Sequence, residues 1–199
     1  MILLSHPHPS QAGWPLYSKP EFRGRVIDAE TKEPIEGAVT VVLYNRWAVI
    51  GGPGGPNTYI FKAKEMMTDN EGEFYFSSVH SLLLPSLDAG VTFIIYKPGY
   101  MAISDRGYDP AGTGVRISLE DYFSADEVGK EGELHVKQGT PASYKGPMGI
   151  VELKKAKTRE ERLRTIPSPP TDYTSKELPI LIKLLNEEGI NLGLRGGYK

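Results

Sequence analysis

Residues 38–44, Ala38-Val39-Thr40-Val41-Val42-Leu43-Tyr44, carry β-branched or apolar side chains along their whole length and offer no polar face. Side chains alternate sides along a strand, so a strand of this kind must be covered on both faces. The stretch is therefore expected as a central strand of a sheet. Val91–Lys97, VTFIIYK, is the strongest strand signal in the chain. Further strands are expected at Phe22–Asp28, Thr58–Thr68, Glu73–Phe76 and Tyr100–Ile103, with weaker ones at Val115–Leu119, Glu133–Lys137 and Met148–Leu153.

Turn chemistry separates these runs. Asp69-Asn70-Glu71-Gly72 combines side chains that hydrogen-bond their own backbone with a glycine that accepts positive φ, which predicts a hairpin over Thr58–Phe76. Ala29–Gly37, AETKEPIEG, is dense in turn formers, and its Pro34–Gly37 end is expected to bring the first two strands together. Phe74, Phe76, Phe93 and Ile95 recur at period two and should enter one core.

The 199 residues have 39% hydrophobic and 24% charged side chains, a soluble globular profile, and mean hydropathy is −0.33. Net charge is −2, so no global field draws nucleic acid or an acidic membrane. Residues 145–199 hold eleven Lys/Arg against seven Asp/Glu, a basic tail expected to dock on a more acidic body. With no cysteine, disulfides, thiolate metal sites and thiol nucleophiles are excluded. No apolar run approaches the roughly 20 residues of a membrane-spanning helix.

Residues 1–21 read as an N-terminal arm: MILLSHPHPSQA has the look of a truncated export signal, and GWPLYSKPEF an extended lead-in that packs Trp14 and Tyr17. Asn45–Asn57 is an insert whose Gly51–Pro56 tip is expected to be a flexible contact loop. Thr158-Arg159-Glu160-Glu161 fits a capping box that opens a short helix, closed by Pro167-Ser168-Pro169-Pro170. A second helix is predicted over Ser175–Glu188. Leu178, Leu181, Ile182 and Leu185 form its apolar stripe, Pro179 lies in its first turn and Gly189 serves as its C-cap. That stripe is expected to lie on the sandwich.

Four segments in order carry a resemblance. They are Gly24-Arg25-Val26-Ile27-Asp28, Thr31-Lys32-Glu33-Pro34-Ile35-Glu36-Gly37-Ala38, Thr68-Asp69-Asn70-Glu71-Gly72-Glu73-Phe74 and Lys97-Pro98-Gly99-Tyr100. Together they resemble the carboxypeptidase regulatory-like domain. The resemblance implies a seven-stranded, transthyretin-like Greek-key β-sandwich over about 22–104, under half the chain. The flanks are similar to exported bacterial proteins that carry this domain. Residues 105–153 are then expected as further strands and loops packed on the sandwich, and 154–199 as a C-terminal helical extension.

Chemistry is sparse. His6, His8, His80 and His135 show no H-x-x-E or H-E-x-x-H spacing, so zinc hydrolysis is not expected. The C-terminal Leu194-Arg195-Gly196-Gly197-Tyr198-Lys199 has the wrong order for the Tyr-Arg-Gly-Ser end of hydroxyisourate hydrolase, a transthyretin-like enzyme. No G-x-S-x-G elbow occurs, and Gly51–Gly55 lacks the Gly-Lys-Ser/Thr of a phosphate loop. Asp69, Asn70 and Glu71 lack the alternating oxygens and distant glutamate of a calcium loop.

The chain is thus expected to be a non-catalytic module without a cofactor, periplasmic or extracellular, with a cytoplasmic location as the alternative. Its expected partner is another envelope or extracellular protein, with no nucleic acid and no membrane span. The alternative function is glycan binding by exposed aromatics, with Trp47 and Tyr59 as the contact residues and Tyr96, Tyr100 and Tyr108 as further members of the platform. A hydrolase with an unrecognised site ranks last.

Overall fold

The structure, a computed structural model, describes residues 16–48, 58–82, 86–104, 118–124, 148–170, 173 and 176–198. Among them are nine strands: β1 Leu16–Lys19, β2 Phe22–Asp28, β3 Val39–Ala48, β4 Thr58–Met67, β5 Glu73–Phe76, β6 Val79–Leu82, β7 Ser86–Tyr96, β8 Ile103–Ser104 and β9 Gly149–Leu153. The helices are α1 Leu119–Phe123, α2 Arg159–Thr165 and α3 Pro179–Asn191. The fold is mainly β; of the nine described strands, β2 to β8 fall within 22–104, the range the resemblance covers, and β1 and β9 lie outside it.

Two sheets face each other, one ordered β5-β2-β9 and the other β4-β3-β7-β8. Phe22 and Val26 of β2, Phe74 of β5 and Val151 of β9 meet Val42 of β3 and Phe93 of β7 in one core, which Phe123 of α1 enters. Phe74, Phe76, Phe93 and Ile95 all point into this core, as their period-two spacing predicts. Edge-to-face rings close it: Phe22 on Phe93 at 5.2 Å and Phe74 on Phe123 at 5.0 Å. A short ribbon, β1 with β6, continues the β2–β5 ladder past Pro20, which has no amide to give it. Tyr17, expected to pack, is buried there.

Strand β3 is central, as its composition requires. Val42 and Tyr44 face the sandwich core, while Val39, Val41 and Leu43 face outward beneath α3. Leu178, Leu181, Ile182 and Leu185 lie on that outer face, so the expected stripe does dock. Each such side chain contributes roughly 1.5–3 kcal/mol through burial. Leu178 offers no side-chain cap, and Glu65 of β4 supplies one from across the fold. Its two oxygens accept from the amides of Ile180 at 2.6 Å and Leu181 at 2.9 Å. At the other end α2, opened by the expected Thr158–Glu161 capping box, holds α3. Arg162 pairs with the buried Glu188 through two bonds of 2.7 and 2.6 Å, and Arg159 donates to the Leu192 carbonyl.

Several expectations are corrected. Thr58–Phe76 is not a hairpin: β4 pairs with β3 in one sheet and β5 with β2 in the other, so Asp69–Gly72 is a corner between sheets. Pro34–Gly37 likewise joins β2 and β3 of opposite sheets. The reason is burial: strand cores on both sides of each turn needed the facing sheet more than each other. Gly189 lies inside α3, and Gly193, at φ 73°, ends it instead. Gly193 donates to the Ile190 carbonyl and Leu194 to that of Gly189, the paired bonds of a Schellman motif.

Leu119, expected in a strand, begins α1 under Ser118, while 115–117 and the Glu133–Lys137 strand lie outside the described residues. Tyr100–Ile103 reduces to β8 and a single bridge from Tyr100 to Lys155. The Met148–Leu153 strand is β9, which joins β2 in parallel.

Two outcomes follow. Deleting 170–199 bares Val39, Val41, Leu43, Ile94 and Tyr96, and should lower the melting temperature by more than 10 °C or abolish cooperative unfolding by calorimetry; Leu181→Ala alone should cost about 2–5 kcal/mol. Gly72 has φ 73°, and a Cβ there would sit 2.4 Å from the Val26 carbonyl oxygen, whereas Gly99, at φ 84°, has open space. Gly99→Ala should therefore show only the conformational cost of roughly 1–2 kcal/mol in a urea titration, and Gly72→Ala clearly more.

Candidate functional site

The resemblance motifs converge on one corner of the sandwich. The Thr68 hydroxyl accepts from the Ala38 amide at 2.9 Å and donates to the Ile35 carbonyl at 2.6 Å. The Gly72 carbonyl accepts from Val26, and the Val26 carbonyl accepts from Ile35. Asp69 turns one carboxylate oxygen onto the amides of Glu71 and Glu73, within its own turn. Lys97 donates to the Glu36 carbonyl at 2.8 Å.

Beside that corner, Asp28 at the end of β2 collects donors from three other segments. One oxygen accepts from the amides of Glu30 and Thr31. The other accepts from the Tyr100 hydroxyl at 3.0 Å and the Lys155 ammonium at 3.0 Å. Asp28 is only 3% exposed. The Thr31 amide and then Lys155 hold its carboxyl well below the usual carboxylate range, and Asp28 in turn holds the Lys155 ammonium above its own. Burial, then the bond to Asp28, raises the Tyr100 phenol. A carboxylate with its lone pairs committed is a poor base, and a protonated lysine is no nucleophile. The cluster clamps β2, the following turn, the Pro98–Tyr100 corner and the chain after β9.

A second network lies under the β1–β6 ribbon. Lys19, 7% exposed, bonds Asp88 at 2.8 Å and Glu120 at 2.6 Å. Burial alone would lower its ammonium, but the two carboxylates outweigh it and raise it. Glu120 also accepts from the Val91 amide and thereby ties α1 to β7. Burial raises the neighbouring Tyr17 phenol and pushes that of Tyr44 up to about 12. Both rings pack with Phe61.

Trp47 and Tyr59 are not brought together. Tyr59 stands opposite Arg46 across β3–β4, with the guanidinium 4.4 Å from its ring centre, while Trp47 stands opposite Thr58 on the other face. Trp47 is 48% exposed next to Leu87 of β7. Tyr96 is buried and Tyr100 is bound to Asp28; Tyr108 lies outside the described residues. His80 is exposed and bonds Ser18 at 3.0 Å; His6, His8 and His135 lie outside the described residues. Among the described residues no three His, Asp or Glu side chains group as a metal site.

The Asp28 clamp was half legible, because Asp-x-x-Thr after a strand is turn chemistry. Lys155 and Lys19 carried no signal, since their partners are distant in sequence.

The class these elements define is a mainly β protein with a two-sheet core, covered on one side by a C-terminal helix. None of its described helices is long and apolar enough to cross a membrane. No known family profile matches the chain, and no curated protein matches it. Among solved structures, that of a streptococcal ancillary pilin is similar over 70% of this chain and 30% of that one, at 13% identity and a TM-score of 0.31. So loose a superposition carries no argument about this chain.

Because the folded state holds the Asp28 carboxyl below its ordinary pKa, the clamp is fully present above the ordinary carboxylate range and is lost as pH falls through and below it. Thermal melts between pH 7 and pH 2 should show part of the acid destabilisation disappearing in Asp28→Asn, with the variant already less stable at pH 7. A variant as stable as the parent at neutral pH would show that the clamp contributes nothing.

Proposed function

We propose that this chain is a non-catalytic β-sandwich module with a structural or protein-interaction role outside the cytoplasm. The finer assignment, a carboxypeptidase regulatory-like domain of transthyretin-like Greek-key type, belongs to the same proposal. One observation carries it: the motif residues Asp28, Thr31, Thr68, Gly72 and Tyr100 are engaged in holding one corner of the sandwich together. Letters so committed have a folding role, which leaves surfaces rather than a reactive centre to carry function. The buried charged groups Asp28, Lys19 and Glu188 each have an opposite charge in contact, the arrangement of a rigid scaffold.

Of the described members of the expected platform, Trp47 is the one whose ring is exposed. With Tyr59 on the opposite face under Arg46, Trp47 and Tyr59 form no shared platform.

The test is cross-linking in intact cells of the native source, followed by fractionation. The protein should be recovered outside the cytoplasm and joined to a distinct second protein, and Trp47→Ala should leave that product unchanged. Recovery as an uncross-linked monomer in the cytosol would end the proposal. Binding to a glycan array that disappears in Trp47→Ala would favour the alternative.

A further inference from the structure

The edges of the two sheets are treated very differently. At β9 the Tyr122 hydroxyl takes both backbone groups of Ile150, donating to its carbonyl at 2.7 Å and accepting from its amide at 3.1 Å. The Met101 amide donates to the Lys154 carbonyl just beyond. Strand β8 is only two residues long, and β5, four residues long, turns its Tyr75 amide to the Met66 sulfur. Strand β4 is the contrast. It runs ten residues, ends the order β4-β3-β7-β8, and has no strand on its outer side among the described residues.

The phase of its hydrogen bonding can be read from its end. Thr68 donates to the Ala38 carbonyl, and antiparallel bonding alternates along the strand. Met66, Lys64 and Lys62 therefore bond to β3, while Met67, Glu65 and Ala63 turn their amides and carbonyls outward. A long open edge of this kind is a template for an added strand.

Charge restricts what can be added. Lys62 and Lys64 stand on one face, two residues apart. Lys62 is exposed, and Lys64 reaches only the Ser77 carbonyl and hydroxyl, at 3.1 and 3.0 Å. Lys19, Lys32, Lys155, Lys157 and Lys183 all touch a carboxylate, but neither of these two does among the described residues. Burial, then the Lys62 charge, pulls the Lys64 ammonium below its usual range. Two copies pairing antiparallel about Ala63 would set Lys62 opposite Lys64, and like charges directly opposite are destabilising.

We propose that the outer edge of β4 accepts an extended segment of another protein that carries Asp or Glu at alternate positions, placed against Lys62 and Lys64. The inference rests on the protein-interaction reading and names the surface and the partner chemistry. Backbone bonds to Ala63, Glu65 and Met67 supply strand addition, and the lysine pair selects an acidic segment over a second copy.

Two peptides test this on the full chain by amide NMR: Thr-Glu-Val-Glu-Val-Glu-Thr, and the same sequence with Lys for every Glu. The acidic peptide should shift the amides of Ala63, Glu65 and Met67, slow their hydrogen exchange and bind at least ten-fold more tightly than its basic counterpart, with an affinity that falls as salt is added. Ala63→Pro removes an outward amide that β3 does not use and should abolish binding. Lys62→Glu with Lys64→Glu should reverse the preference, which keeps the test decisive if the proline variant misfolds. Equal binding of both peptides, shifts confined to another surface, or full exchange protection at these amides before peptide is added would each overturn the proposal. A cellular cross-link that survives in Ala63→Pro would sink this edge while leaving the interaction module standing; absence of any cross-link in the parent chain would sink the module itself.

Discussion

Strand β3 is closed to water on both faces from Val39 to Tyr44, and the architecture follows from meeting that need twice over. Val42 and Tyr44 take their cover from the sheet β5-β2-β9, and Val39, Val41 and Leu43 take theirs from α3. Neither cover is local in sequence. The first comes from strands on both sides of β3, including β9, and the second from the last helix of the chain. A strand with one polar face would have left α3 without a seat.

Polar anchoring then fixes where the greasy surfaces meet. Glu65 grips the start of α3, Arg162 and Arg159 its end, and Asp28 ties the chain after β9 back to β2. Each anchor joins segments far apart in the chain: the buried Glu188 and Asp28 each meet an opposite charge, Glu65 meets helix amides and Arg159 a helix carbonyl. Such contacts add orientation more than raw stability, because desolvation offsets much of what a buried ion pair returns.

Much of this was legible. The runs at 22–28, 38–44, 58–68, 73–76, 91–97 and 148–153 are strands or strand cores, and the Thr158 capping box and the α3 stripe are where spacing put them. The errors share a cause. A turn such as Asp69–Gly72 records that the chain reverses, and the same backbone can serve a hairpin or a corner between sheets. Gly189 and Gly193 both suit a helix end, and the chain keeps helical bonding past Gly189 and closes at Gly193, with Leu192 buried beside it. Trp47 and Tyr59 looked like one platform, but the strand register sends their rings to opposite faces.

By itself the sequence determined the local terms: which segments extend, which face of the last helix is apolar, where the caps and turns fall, and the lack of any thiol chemistry. Those features depend on neighbours within a few residues, where side-chain periodicity and backbone sterics act directly. The tertiary structure alone decided which strands share a sheet, that Lys155 closes on Asp28, that Glu65 caps a helix more than a hundred residues away, and that β4 ends its sheet with no further strand beside it among the described residues. Those choices turn on burial and charge matching between distant segments, and composition and spacing do not record which distant segment supplies the match.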